Sequence, residues 1–290
     1  MGCVLDAGKP SRTALGVAIR RAAHQLYDAE PRVLDDPIVV PLLRKTYGAA
    51  LDEAAETINE KFSLGMRAFL VARSRYAEDK LAEAVGRGVQ QYVLLGAGLD
   101  TFAHRNPHAG LRVFEVDHPA TQAWKRWLIR ESGLAESGLP EVDDVQYVPV
   151  DFERQSLAAE LEAGGLDITK PTMFAWLGVV LYLTHPAFRT TLDWIGGFPE
   201  GSGVVMDYAL PRYALPEDEL ESRDQLAARV QSVGEPFQLF FTPEEMAKEL
   251  AAFREIETVD AKEISARYLT GREDRLSLAG RGGRLVCAWR

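Results

Sequence analysis

Gly96 and Gly98 follow directly on the apolar run Tyr92-Val93-Leu94-Leu95. A second apolar run, Leu111 to Val116, ends about 20 residues further on in the carboxylate of Asp117. A buried strand opening into a glycine turn, then a strand ending in an acid, makes a nucleoside-binding unit. The glycines let backbone approach a ligand closely, and the acid accepts hydrogen bonds from both ribose hydroxyls. Asp117 can instead be a simple helix-start residue before His118-Pro119, and Glu115, two residues back on the same face, is the fallback ribose ligand. A third run, Tyr147 to Val150, ends in Asp151-Phe152. An Asp there can accept from an exocyclic adenine amine while a neighbouring aromatic covers the base. Its alternative is to cap a helix beginning near Glu153. Three consecutive strand ends bearing Gly, Asp and Asp point together to one nucleoside-bearing ligand.

The elements that must position these residues follow from periodicity. Leu15, Ala18, Ile19, Ala22, Ala23 and Leu26 recur at helical spacing, and segments 38–48 and 55–85 read as helices too. Strands are expected at 91–95, 111–116, 145–150, 172–178, 202–208, 254–259 and 284–289, most of them separated by helices. That is the rhythm of a doubly wound α/β fold. Pro119 suits a first helical position, and Thr242-Pro243-Glu244-Glu245 reads as a capping box. Pro211, Pro216 and Pro236 frame a charged helix around Glu217 to Val233 that need not cover the sheet, which marks residues 209–240 as a lid.

Composition narrows the function classes. The chain has 290 residues, 47% of them hydrophobic, enough for a substantial core. A formal charge of −10 argues against a nucleic-acid footprint, which needs clustered Lys and Arg. The two cysteines, Cys3 and Cys287, form neither a disulfide framework nor a zinc pair, and are expected as free thiols in a reducing cytoplasm. No apolar run approaches the roughly 18 residues of a membrane span, and no signal-peptide apolar region is expected. His104 and His108 have helical spacing, but Pro107 argues against a continuous helix there, so no metal site is expected.

Leu95-Gly96-Ala97-Gly98-Leu99-Asp100-Thr101, Phe114-Glu115-Val116-Asp117-His118-Pro119 and Val150-Asp151-Phe152 resemble the leucine carboxyl methyltransferase-like group of S-adenosylmethionine (SAM) methyltransferases. So do Asp35-Asp36-Pro37, Ala72-Arg73-Ser74-Arg75-Tyr76, Trp176-Leu177-Gly178-Val179-Val180-Leu181-Tyr182-Leu183-Thr184, Gly234-Glu235-Pro236-Phe237 and Ala266-Arg267-Tyr268-Leu269, so the likeness covers almost the whole chain. The resemblance implies an α/β class I methyltransferase fold, a Rossmann-like, seven-stranded and mostly parallel sheet. A helical cap at 1–88 would cover a SAM-binding domain at 89–290 that carries the lid. By position, Arg73 would pair with the methionine carboxylate, Gly96 and Gly98 would approach methionine and ribose, Asp117 would bind the ribose diol, and Asp151 with Phe152 would hold adenine. A guanidinium is a bidentate fork for a carboxylate, although Arg73, near Arg67 and Arg75, also fits a helix-surface arginine. The chain departs from the family at Leu177, where many members carry Glu, leaving backbone carbonyls or another acid, Asp100, to receive the SAM amino group.

Methyl transfer to a carboxylate needs little acid or base chemistry, because orientation and desolvation supply most of the acceleration. A hydroxyl acceptor would want a base. The candidates are His185, which also fits a capping or surface residue, and Tyr182, which also fits a packed aromatic lining the acceptor pocket. Tyr208, Tyr213 and Phe237 are expected to face the acceptor from the lid side. The expected activity is O-methylation of a small molecule, with carboxylate preferred over hydroxyl; oligomeric state stays open. Two other readings compete. One is a SAM-binding protein without catalysis, motivated by Leu177. The other is a nicotinamide oxidoreductase, disfavoured because the third glycine is missing and the Tyr76/Lys80 pair precedes the glycine turn.

Overall fold

The computed structural model describes residues 11–134, 145–151, 154–232, 234 and 236–290. Seven strands form one sheet: β1 (Gln91–Leu95), β2 (Arg112–Asp117), β3 (Gln146–Pro149), β4 (Met173–Trp176), β5 (Gly203–Ala209), β6 (Glu255–Val259) and β7 (Gly283–Trp289). Their order is β3-β2-β1-β4-β5-β7-β6. Only β7 runs antiparallel to its neighbours β5 and β6. All seven expected runs are strands, and the mostly parallel sheet is the expected class. All five residues of β1 are buried, as a central parallel strand covered on both faces requires.

Strand alternation sorts the core into two layers. Leu94, Met173, Ala175 and Val205 face Val71, Ala72 and Tyr76 of α3 (Lys61–Gly86). Leu95, Phe174, Trp176 and Met206 face Phe188, Leu192 and Ile195 of α7 (His185–Gly196). A third cluster joins Ala18 and Ala22 of α1 (Arg12–Tyr27), Leu42, Leu43 and Leu51 of α2 (Val39–Glu56), and Leu128 and Ile129 of α5 (Pro119–Glu131). Thus α1 and α2 pack as a separate layer, while α3 lies on the sheet itself.

Local signals explain most of the helix ends. Ser11 caps α1 by accepting from Ala14 N–H at 3.2 Å. His118 caps α5 ahead of Pro119, and Thr242 with Glu245 forms the expected capping box of a short helix, Pro243–Glu249. Two boundaries differ from expectation. α2 continues to Glu56 through a non-helical Tyr47, because Leu51 on its second half is fully buried and holds that half against the cluster. α3 then starts at Lys61, several residues later than the periodicity predicts. The lid helix α8 spans Glu217–Ser232, after a single 3-10 turn at Arg212–Ala214.

The topology fixes where a ligand can bind. From β1 the chain moves outward to β2 and β3, then returns to β4 and β5 on the other side. The crevice at the carboxyl ends of β1 and β4 is therefore the switch point at which open α/β sheets take ligands. Register aligns Leu95 with Val116 and Asp117 with Pro149, so the glycine turn, Asp117 and Asp151 emerge at the same end.

Candidate active site

At that end lies a cavity of about 1090 Å³, enclosed by strand ends, α1, α3 and the lid. This is at the upper limit of the roughly 300–1,000 Å³ of a single small-ligand site, so two ligands can share it. Gly96, Gly98, Asp100, Asp117, Asp151 and Leu177 all line it, as does Arg73. Phe152 lies outside the described residues.

The glycine turn is cramped. Gly96 and Gly98 have φ of +73° and +53°, the left-handed region that favours glycine. A Cβ on Gly96 would sit 2.3 Å from Val179 Cγ2, and one on Gly98 would sit 3.2 Å from Ala14 Cβ of α1. Gly98 N–H donates to Asp117 Oδ2 at 2.6 Å, and His118 N–H donates to Asp117 Oδ1 at 2.7 Å. These bonds hold the carboxylate while leaving each oxygen a lone pair for a further donor. Burial pushes its carboxyl up, an effect the two N–H groups oppose. Asp117 is thus more than a helix start, since His118 is the cap. Glu115 is not a fallback ligand: it is fully buried, with Oε2 at 2.5 Å from Lys125 Nζ, and points into the core. The helix Leu157–Ala163 begins later, capped by Ser156, and Asp151 lies at the cavity with Arg154 Nε 3.6 Å from its Oδ2.

The other side of the glycine turn holds a buried ion pair. Arg73 Nη1 donates to Asp207 Oδ2 at 3.0 Å, and Gly178 N–H donates to Asp207 Oδ1 at 2.5 Å. Arg73 is 7% exposed, so it is no helix-surface arginine, and its buried Nε has no hydrogen-bond partner among the described residues. Gly178, at φ +70°, is where a Cβ would collide with Arg73 Nη1 at 2.9 Å. Sequence reasoning missed Asp207. Its signal was the one that revealed Asp117, an acid at the end of an otherwise apolar strand.

Asp100 accepts from Arg21 Nη1 at 3.0 Å and from Phe102 N–H at 2.7 Å. Burial would raise its pKa, but Arg21, Arg105 and that N–H together hold it down to about 2. Arg21 also donates to Asp36 at 2.7 Å, and Thr101 Oγ1 donates to Asp36 at 2.7 Å. The Asp35-Asp36-Pro37 motif therefore bolts α1 to the turn after β1.

The remaining wall is apolar. Phe62, Met66 and Phe69 of α3 face Leu215, Leu226 and Val230 of the lid across the cavity. Tyr182 lines it with its ring 5.4 Å from that of Phe237, and Tyr208 and Phe237 line it too. Burial pushes the Tyr208 phenol up to about 12. Tyr213 is 77% exposed and does not face the cavity. His185 is also displaced from the expected place: its Nε2 lies 2.8 Å from Glu249 Oε1 on an exposed surface outside the cavity. Among the histidines only His118 lines the cavity, and its Nδ1 accepts from Ala120 N–H. Among the described residues no group of three or more His, Cys, Asp or Glu is arranged to hold a metal, and no helix is long and apolar enough to cross a membrane.

The family model described as leucine carboxyl methyltransferase matches residues 14–196. A Bacillus subtilis (strain 168) protein, YktD, provisionally named an S-adenosyl-L-methionine-dependent methyltransferase, is 29% identical over 92% of this chain and 94% of its own. A protein of the same provisional name from Mycolicibacterium smegmatis (strain ATCC 700084 / mc(2)155) is 32% identical over 75% of this chain and 71% of its own. Among solved structures, a provisionally named methyltransferase from Thermobifida fusca YX superposes with a TM-score of 0.58 at 16% identity, covering 99% of this chain and 97% of its own, a likeness of fold.

Proposed function

We infer the reaction from one premise: this chain belongs to the leucine carboxyl methyltransferase family and is a SAM-dependent methyltransferase. That membership decides against the nicotinamide alternative. The reaction proposed is O-methylation of a small-molecule acceptor, with a carboxylate preferred over a hydroxyl. The carrying observation is a single cavity with a charged, backbone-clamped end and an apolar end that holds no histidine free to act as a base.

The residues present fit SAM. Its nucleoside matches the cramped glycine turn and the spare lone pairs of Asp117, with Asp151 on the adenine side. The methionine carboxylate matches Arg73, whose Nε is buried with no partner beside the cavity. Leu177 leaves that end without the family's Glu, and Asp207 on the neighbouring strand brings a carboxylate there instead. When bound, SAM supplies an electrophilic methyl on a sulfonium sulfur. The chain's own task is then positional. Gly96, Gly98 and Asp117 fix the cofactor, while Tyr182, Phe237 and the lid exclude water around the acceptor oxygen, which strengthens attack by an already ionised carboxylate.

Calorimetric titration with SAM and S-adenosylhomocysteine, with NAD as control, is expected to show binding of the first two alone. A panel of carboxylic acids and phenols then tests the acceptor, and methyl transfer to phenols in preference to acids would refute the carboxylate reading.

A further inference from the structure

The apolar end of the cavity contains a charge that the methyl-transfer reading does not use. Arg223, on the inner side of α8, lines the cavity with its guanidinium 4.9 Å above the ring of Phe240. Its Nη1 donates to Asp224 Oδ1 at 3.2 Å, and its Nε is buried with no hydrogen-bond partner among the described residues. Asp224 is shared: Arg212 Nη2 also donates to it, at 3.1 Å. Two guanidinium groups thus share Asp224, and Arg223 is the member of the pair that lines the cavity. The acid nearest by sequence on the cavity side, Glu219, bonds to Arg281 instead of to Arg223. Both Glu219 oxygens are taken by Arg281, one by its N–H at 2.7 Å and the other by Nε at 2.8 Å. The cavity's other arginines lie elsewhere, Arg12, Arg20 and Arg21 on α1 beside the glycine turn, Arg73 on Asp207 and Arg154 beside Asp151.

The surface beneath this charge is aromatic. Phe240 lies 6.4 Å from Phe237, which in turn contacts Tyr182. A flat apolar body can lie against these rings, and an anionic group on it can reach the guanidinium of Arg223 where that residue lines the cavity. The geometry points to an acceptor that is an aromatic small molecule carrying an acidic group, with Arg223 as the residue that recognises that acid from the lid. This rests on the reading of the cavity as the methyl-acceptor site, and it narrows the acceptor class from any small molecule to aromatic anions.

A matched pair of fluorescent probes tests it on the full-length protein with S-adenosylhomocysteine bound. Anilinonaphthalenesulfonate carries an aromatic body and an anion; phenylnaphthylamine is the same body without the sulfonate. Arg223→Gln is expected to weaken the sulfonate about tenfold, the scale of a lost charge-assisted hydrogen bond, and to leave the amine unchanged. Phe240→Ala is expected to weaken both, and Arg254→Gln, a surface residue paired with Glu200, neither. Unchanged sulfonate affinity in Arg223→Gln, equal weakening of both probes by it, or failure of either probe to bind the wild type would overturn the inference. Calorimetry of S-adenosylhomocysteine separates the two levels. No binding to the wild type would fail the underlying site reading, whereas binding kept in Arg223→Gln with unaltered probe affinities fails this inference alone.

Discussion

Arg73 and Arg223 line opposite ends of one cavity, and each is paired with an aspartate, but they are held in opposite ways. Arg73 and Asp207 have side chains 9% and 3% exposed, and Asp207 is pinned further by the Gly178 N–H. Arg223 and Asp224 are 26% and 45% exposed, on a helix that touches the body through side chains, and Asp224 divides itself between two partners. The sheet therefore delivers the cofactor end of the cavity as a finished mould. The acceptor end is an adjustable wall.

The sharpest way to break that contrast is to remove each aspartate. Asp207→Ala leaves Arg73 buried and unpaired, which is expected to cost about 3 kcal/mol of stability in chemical denaturation and to weaken SAM binding as well. Asp224→Ala is expected to leave the melting temperature where it was; if it destabilises as much as Asp207→Ala, the lid is no adjustable wall. Next in size, Asp117→Ala strands two ribose hydroxyls and the Gly98 N–H. SAM affinity by calorimetry is expected to fall by about 1–3 kcal/mol, and unchanged affinity would remove Asp117 from the ribose.

A smaller effect appears with pH. Asp100 has its folded pKa lowered to about 2 from 3.8, so the stability it contributes is complete above about pH 4 and is lost as pH falls towards 2. That contribution is about 2 kcal/mol. Acid unfolding of Asp100→Asn should accordingly be flatter between pH 4 and 2 than that of the wild type, and identical slopes would show that Arg21 does not hold this carboxylate.

The sheet and the gathering of Gly98, Asp117 and Asp151 at one cavity were legible because their signals are local. An apolar run, a glycine turn and a terminal acid sit within a few residues of one another, and parallel register carries Gly98, Asp117 and Asp151 to the same edge. What escaped depends on distance along the chain. Arg73 and Asp207 meet across 134 residues, and only the packing of α3 against the sheet beside β5 brings them together. Asp36 was visible as part of a motif, but its work, taking Arg21 and Thr101 together, exists only once α1 packs over the turn. His185 fell on the wrong side for the same reason. The turn of chain after β4 sends Tyr182 inward and His185 out to Glu249.

The ties of Arg21 to Asp36 and Asp100 lie beneath the surface, while the lid's pairs, Arg212 with Asp224 and Arg281 with Asp218, stand in water. Dissolved ions reach the second set and scarcely the first: the Debye length shrinks from about 10 Å at 0.1 M to 3 Å at 1 M. Ionic strength is therefore a selective solvent for this molecule. Added salt is expected to weaken these exposed pairs and to leave the α1 clamp on the glycine turn intact, so a salt series tells the two sets apart without changing a single residue.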